Sequence, residues 1–424
     1  MRYDVIVIGT GLSGLMAAKQ AADSGLRAMV LGKGMGMMHV LPGGIDLLGY
    51  YPGDNREVQN EVYAGLTRLI QEKPDHPYAR VGLEDIEKSI RSFSELFTRQ
   101  SYHYTGEPGE NIMLPTGLGS LRPSYLVPST MIAGKRIFSK PTLLIGFHGF
   151  GNFYPAYAAR SLLTRGDRNK GLRVRSEKIE VSDIGGRSTF KAASLAIQFD
   201  EESFREKVSK RISRVIDGEE LVGFPAVLGL RDAVKVKLDM EAWLGADVFE
   251  LPILPPSIPG MRLFGILQNR LRARGVRVIL GFEVISAMQQ NGRCHGVVLK
   301  TPSGERIHQA DSFVLATGGL FGGGLKVQGD RVFEPIFNLP VTQPESRKTW
   351  FQSELIGRRS HPVNRAGITT NGRLNPVDEK GRVLLENLFA VGSILGHHDS
   401  RREKSKTGVA IATGYKAIRS IVGR

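Results

Sequence analysis

The stretch Tyr3 to Ala18, YDVIVIGTGLSGLMAA, constrains this chain more than any other. Val5 to Ile8 is a β-rich run with no polar residue, the pattern of a strand covered on both faces. Leu15 to Ser24 has the composition of a helix, and Gly25 stops it. Between the two, Gly9, Gly11 and Gly14 keep the GxGxxG spacing. The first glycine permits a tight turn, the second lets backbone approach a phosphate, and the third lets helix pack on strand. The helix N-terminus then faces the anion, with Leu12 and Ser13 as further contacts. Arg27 to Leu31 reads as the second strand of the same unit. A chain that opens this way is expected to be α/β, with a Rossmann-like parallel sheet around a phosphate-bearing cofactor.

Such a unit normally closes its second strand with Asp or Glu, which accepts hydrogen bonds from an adenosine ribose. Seventeen residues separate Gly14 from Gly32, the place where flavoproteins of this kind put Glu. Losing that acceptor costs about 1–3 kcal/mol of ribose binding. The adenosine half of FAD is therefore less well served, and FMN becomes the favoured cofactor. FAD held through backbone contacts is the alternative. Lys33, beside the gap, could meet phosphate instead.

Two more glycine bends follow in the order that a flavoprotein needs. VLATGG (Val314 to Gly319) runs from a strand into a turn carrying Thr317, Gly318 and Gly319. NLFAVGS (Asn387 to Ser393) runs from a strand into Gly392 and Ser393, and a closing helix covers Gly408 to Ile421. A flavin with its ribityl tail is long. It needs one loop for phosphate, one for chain passage, and one beside the ring with a helix N-terminus, where Gly408 and Val409 stand. Together the three bends point to a flavoprotein and away from a simple nicotinamide dehydrogenase.

The middle of the chain carries its own α/β alternation. Pro141 to Phe147 and Glu219 to Leu230 read as strands, Phe153 to Leu163 and Val234 to Leu244 as helices. Prolines between Glu250 and Gly260 mark a boundary. Beyond it, Met261 to Arg274 reads as a helix, Val276 to Leu280 as a strand, and Gly296 to Gly319 as a hairpin turning at Ser303-Gly304. The expected division is a flavin-binding domain of residues 1–90 and 261–424 and an inserted α/β or α+β domain of 91–260. Residues 330–380 are open to membership of the second.

Composition narrows the partners. Cys294 is the only cysteine in 424 residues, so the chain makes no internal disulfide, no iron–sulfur cluster and no CxxC redox pair. Electrons leaving singly must pass to another polypeptide. No apolar run approaches the ~18 residues of a spanning helix, and the start has no signal-peptide pattern. A cytoplasmic protein is expected, peripheral at the inner face of the membrane through a partner if it meets the membrane at all. The net charge of +15 fits either an anionic partner or a Lys/Arg-rich surface. The basic clusters Arg165 to Arg175 and Arg401 to Lys406 have no interleaved aromatics, which argues against nucleic acid.

Several segments resemble one family over nearly the whole length: LPGGIDLLG (41–49), PDHPY (74–78), TGLGSLRPSYL (116–126), LPPSIPGMRL (254–263), ATGGLFGGGL (316–325) and NLFAVGSILG (387–396). The chain is similar to the B subunits of anaerobic glycerol-3-phosphate dehydrogenase. That resemblance implies FMN and a complex with a catalytic FAD subunit and a membrane-associated iron–sulfur subunit. It also implies oxidation of sn-glycerol 3-phosphate to dihydroxyacetone phosphate, with electrons passed to quinone. One departure stands out. Where the family tends to a Gly-rich turn before the last helix, this chain has SRREKSKTGVA (400–410), with Lys404 and Lys406. These lysines either crowd a flavin ring, to the point of losing the site, or stabilise its reduced anion.

Removing hydride from a secondary alcohol calls for a base, and His39, His397 and His398 are candidates by type. Arg122 and Arg262 could clamp a phosphate, with His398 beside them on substrate, or make salt bridges or subunit contacts instead. No metal site is expected. Two roles stay open, a substrate-oxidising subunit and an electron-relaying partner without its own active site. A stand-alone reductase of the fumarate or ketosteroid kind is the remaining reading.

Overall fold

The computed structural model describes residues 2–53, 57–98, 100–164, 171–181, 189–354 and 359–423. The basic cluster at 165–175 therefore lies in part outside the described residues. Contacts divide the chain into one unit of Met1–Met37, Asp46–Leu96 and Phe264–Arg424, and a second of Met38–Ile45 and Phe97–Leu263.

The first unit is built on five parallel strands: β1 (Tyr3–Ile8), β2 (Ala28–Gly32), β3 (Arg277–Leu280), β4 (Ala310–Leu315) and β5 (Leu388–Ala390). Their order across the sheet is β3-β2-β1-β4-β5. This is the doubly wound arrangement, whose ligand crevice lies beyond the carboxyl ends of the strands. β1 is central, and Val5, Ile6 and Val7 are completely buried, as its unbroken apolar run requires. Helix α1 (Leu12–Asp23) lies along a second helix, α6 (Lys406–Val422), with Gly414 against α1: a methyl placed there would sit 2.5 Å from Ser13 O. Between β2 and β3 in this unit come α2 (Val62–Glu72), α3 (Pro77–Val81) and α4 (Leu83–Ser94), and α5 (Ser400–Glu403) precedes α6. An antiparallel sheet of Glu283–Gln290, Arg293–Thr301 and Gly304–His308 includes the expected hairpin, with Gly304 at φ 108° in its turn.

The second unit has a four-stranded parallel sheet, ordered Asp247–Leu251, Leu221–Pro225, Thr142–Phe147, Val174–Ile179. Helices Pro155–Thr164, Ala192–Asp200, Glu202–Ile212 and Ala233–Leu244 accompany it. Its core is aromatic: Phe147, Phe199 and Phe224 are buried against one another, with ring centroids 5.7–6.5 Å apart. Small antiparallel pairs are present as well, such as Ile112–Pro115 with Leu121–Ser124. The segment Met38–Ile45, which sequence alone groups with the first domain, makes its contacts in this second unit. Ile45 N–H donates to Leu126 O at 2.7 Å, and Gly43 and Gly44 pack on Met131 and Ser124.

Candidate functional site

The three glycine bends meet. Gly9 holds φ 121°, and a methyl on it would lie 2.6 Å from the carbonyl carbon of Ala316, at the head of the ATGG bend. One on Gly14 would collide with Gly9 O and come within 3.2 Å of Ala316 Cβ. One on Gly392 (φ 75°) would come within 2.8 Å of Ser13 Cβ. Gly319 N–H donates to Ser393 Oγ at 3.3 Å, which joins the second bend to the third. Gly392 N–H donates to Thr413 Oγ1 at 2.9 Å, so α6 braces the third bend; sequence reading missed Thr413. Gly318 has φ 86°, which suits glycine.

Gly11 differs from its neighbours. No heavy atom beyond its chain neighbours lies within 4 Å of where its side chain would begin, so open space adjoins the start of α1. Leu12 and Ser13 follow in the first turn, and the helix ladder begins only with Leu15 N–H on Gly11 O at 3.0 Å. Four amides at a helix start have no partner within the helix, which favours an anion. Thr317 adds a second sign of a ligand: its hydroxyl oxygen is buried with no hydrogen-bond partner. A glycine-lined opening at a helix N-terminus, with an orphaned hydroxyl nearby in the connected bends, fits the phosphate end of a flavin nucleotide.

The adenosine side is different. A methyl on Gly32 would lie 2.8 Å from Thr10 Cγ2 and closer still to Thr10 Oγ1. The Thr10 hydroxyl donates to Gly34 O, and the residue is buried at 3 % exposure. Thr10 therefore fills the place where an acidic side chain would start. Gly36 (φ 56°) folds back until its side-chain position is 3.1 Å from Gly11 N. Lys33, an expected phosphate contact, pairs with Glu283 at 2.6 Å on the surface.

At the start of α6 the backbone already has protein partners. Gly408 N–H donates to Asp46 O at 2.8 Å, and Asp46 N–H donates to Thr407 Oγ1 at 2.7 Å. The space beside Gly408 is filled by Leu47 Cδ2 and the Tyr78 hydroxyl, and Val409 is 1 % exposed with its N–H on Ser405 O. Neither residue is free to approach a cofactor, because the segment after Asp46 takes those groups first. Lys404 adopts φ 51°, a left-handed cap that glycine usually supplies. Lys406 is half-buried, and burial, with the charge of Arg401 behind it, pushes its ammonium below the ordinary lysine value. The Arg401 guanidinium lies over the Phe321 ring, 3.8 Å from its centroid.

Of the proposed substrate arginines, Arg262 is a structural ion pair in the second unit. It is 6 % exposed, binds Glu250 through Nη1 at 2.6 Å and Nη2 at 2.9 Å, and donates through Nε to Gly229 O at 2.9 Å. Breaking up that pair to hold a substrate phosphate would leave Glu250 charged and buried. Arg122 lies half-buried in the same unit, opposite Leu114 in a two-stranded pair. His39 is exposed, and its carbonyl accepts from Ser257 N–H at 2.7 Å.

His398 is 4 % exposed, with Nδ1 3.2 Å from Gly396 O and its ring edge-on to His76. His76 Nδ1 accepts from Tyr78 N–H at 3.1 Å, so Nε2 carries the proton that faces Glu403 at 3.2 Å. Burial pushes the Glu403 carboxyl up, but His76, His398 and the Ser405 hydroxyl at 2.8 Å outweigh it and hold it below the usual carboxylate range. This cluster pins α5 and α3, and nothing in it is open to a substrate. His397 is the histidine of the three that lines a cavity. Its Nε2 is 2.7 Å from Thr369 Oγ1, and burial lowers its proton affinity below the ordinary value. Among the described residues, no three His, Cys, Asp or Glu side chains could hold a metal, and no helix is long and apolar enough to cross a membrane.

Residues 4–407 match the family model described as FAD binding domain. Relatives of the whole chain are found among the B subunits of anaerobic glycerol-3-phosphate dehydrogenases. Identity to the one from Halobacterium salinarum, which is named as probable, is 33% over 424 residues, covering 98% of this chain and 96% of that one. Identity to the one from Yersinia pseudotuberculosis is 29%, over 100% of this chain and 98% of that one. For the Vibrio cholerae protein it is 28%, over 100% and 97%.

Proposed function

This chain belongs to the family of anaerobic glycerol-3-phosphate dehydrogenase B subunits and has the fold of an FAD-binding domain, and from that premise we propose that it is the flavin-holding subunit of a quinone-linked dehydrogenase. The complex oxidises sn-glycerol 3-phosphate to dihydroxyacetone phosphate. Electrons leave through a catalytic FAD subunit and a membrane-associated iron–sulfur subunit. Cys294, the one cysteine, cannot hold a cluster, which supports the partner. It is also buried, and burial lifts its thiol to about 11.

The observation that carries this reading is the convergence of the Gly9–Gly14, Ala316–Gly319 and Gly392–Ser393 bends around the open start of α1. Gly11 and the amides of Leu12 and Ser13 would hold the phosphate, with the Thr317 hydroxyl as a further donor. A bound flavin supplies two-electron acceptance from an alcohol and stepwise release to one-electron carriers. His397, neutral at pH 7 because burial lowers its proton affinity, is suited to accept a proton. Lys406 brings positive charge to the start of α6. FMN is the favoured flavin, because Thr10 occupies the place of the ribose carboxylate. FAD is the second reading, favoured by the family model itself.

The buried states of Arg262 and His398 favour the relay role as an alternative to substrate oxidation. Turnover of the purified chain with glycerol 3-phosphate and a dye acceptor separates the two. Unaided turnover supports oxidation by this chain alone. Activity only after the other subunits are added supports the relay, and no activity even in the assembled complex defeats both.

A further inference from the structure

A cavity of about 420 Å³ opens in the first unit, among Lys73, Asp75, His76, Thr342, Arg365 and His397. Its carboxylates already have partners. Asp75 pairs with Arg80 at 2.6 Å, and Glu72, also on the wall, accepts from Tyr51 at 2.5 Å and Arg68 at 2.7 Å. Both nitrogens of His76 are engaged, as described above. The cations are in the opposite state: neither Lys73 nor Arg365 makes an ion pair among the described residues. His397 stands at φ 65°, its N–H on Arg365 O at 3.0 Å, and it ends a chain of hydroxyls: Thr342 Oγ1 to Thr369 Oγ1 at 2.8 Å, then Thr369 Oγ1 to His397 Nε2 at 2.7 Å. Pro74, Pro344 and Pro362 on the wall bring no amide N–H and stiffen it.

Two uncommitted cations and a hydroxyl–imidazole chain on one wall, with every carboxylate neutralised, suit a small ligand that is anionic at one end and rich in hydroxyls at the other. We propose that this cavity binds the phosphate monoester of a small polyol, with Lys73 and Arg365 on the phosphate and Thr342, Thr369 and His397 toward the hydroxyls. The volume lies within the range of small-molecule sites. Naming the ester as sn-glycerol 3-phosphate rests on the functional reading above; the anion site itself rests on the cavity.

Titration calorimetry of the purified full-length chain tests it, with sn-glycerol 3-phosphate, inorganic phosphate and glycerol as probes. Glycerol 3-phosphate binds, phosphate competes with it, and glycerol alone does not bind. Arg365→Gln and Lys73→Gln each weaken glycerol 3-phosphate about 10-fold or more, the loss expected for a charge-assisted contact. Arg365→Lys recovers part of the affinity, and Lys88→Gln, on a surface pair outside the cavity, changes nothing. No binding of either anion, equal binding of glycerol, or affinity indifferent to both substitutions overturns the proposal. The flavin content of the same preparation is read separately. A flavin-free chain that binds the ester through Arg365 defeats the functional reading and keeps this one, while a flavin-loaded chain with no ester site does the reverse.

Discussion

Thr10 and Gly32 exclude each other's larger alternatives: the γ-methyl of Thr10 stands 2.8 Å from the point where a side chain on Gly32 would begin. A β-branched side chain has few rotamers into which to retreat, and this one is also tied to Gly34 O. The carboxylate typical of this strand end is absent for a steric reason. Gly32→Glu alone therefore overpacks the turn and costs about 1–3 kcal/mol in a urea melt. Thr10→Ala with Gly32→Glu recovers most of that loss, and the released flavin shifts toward FAD. A single variant as stable as the parent contradicts the packing.

Gly11 and Gly14 separate cofactor binding from folding. A methyl on Gly14 meets Gly9 O, whereas one on Gly11 meets nothing within 4 Å. Gly11→Ala is expected to leave the unfolding midpoint within about 0.5 kcal/mol of the parent. Because its methyl enters the phosphate opening, retained flavin falls at least about tenfold, the effect of displacing a charge-assisted contact. Gly14→Ala lowers the midpoint itself. Flavin retention unaffected by Gly11→Ala, measured by absorbance after desalting, would count against the cradle.

Thr317 presents a buried hydroxyl without a partner. Such a group destabilises the flavin-free fold by about 1–3 kcal/mol until a ligand meets it. Thr317→Val should raise the stability of the flavin-free chain and weaken flavin binding at the same time. A change of the same sign in both refutes this assignment.

Acid should unfold the protein in two stages. His397 and His398 lie below the ordinary histidine value of 6.5, burial being the leading cause in each. The unfolded chain takes up their protons first, so stability falls as pH drops below 6.5. Glu403 lies below its ordinary 4.5 in the folded state, so its contribution is full above 4.5 and is lost below it. Glu403→Gln shrinks the lower stage and leaves the upper one in place. Glu403→Ala, which leaves His76 without its acceptor, costs about 3–5 kcal/mol. Urea midpoints at pH 7.5, 6 and 4 check both.

The scaffold was legible because its signals are local. The apolar run of β1, the glycine spacing and the hairpin at Ser303-Gly304 each state their structure within a few residues. Arg262 shows the limit of that reading. Its segment looks functional, yet its partner Glu250 sits in a separate strand and turns it into a core ion pair. Gly408 shows the same limit, since its amide meets Asp46, a residue more than three hundred positions earlier. The pairing of His76 with Glu403, and the gathering of Lys73, Arg365 and His397 around one cavity, are also products of chain folding. No spacing in the sequence could have announced them.

The account turns on whether this chain carries a flavin nucleotide in a cradle that does without an adenosine carboxylate. Denaturing the purified protein and chromatographing what it releases tests that directly. FMN in about one-to-one ratio with the chain is the expected result. Release of FAD would contradict the role given to Thr10 and Gly32, and release of no flavin at all would contradict the cradle.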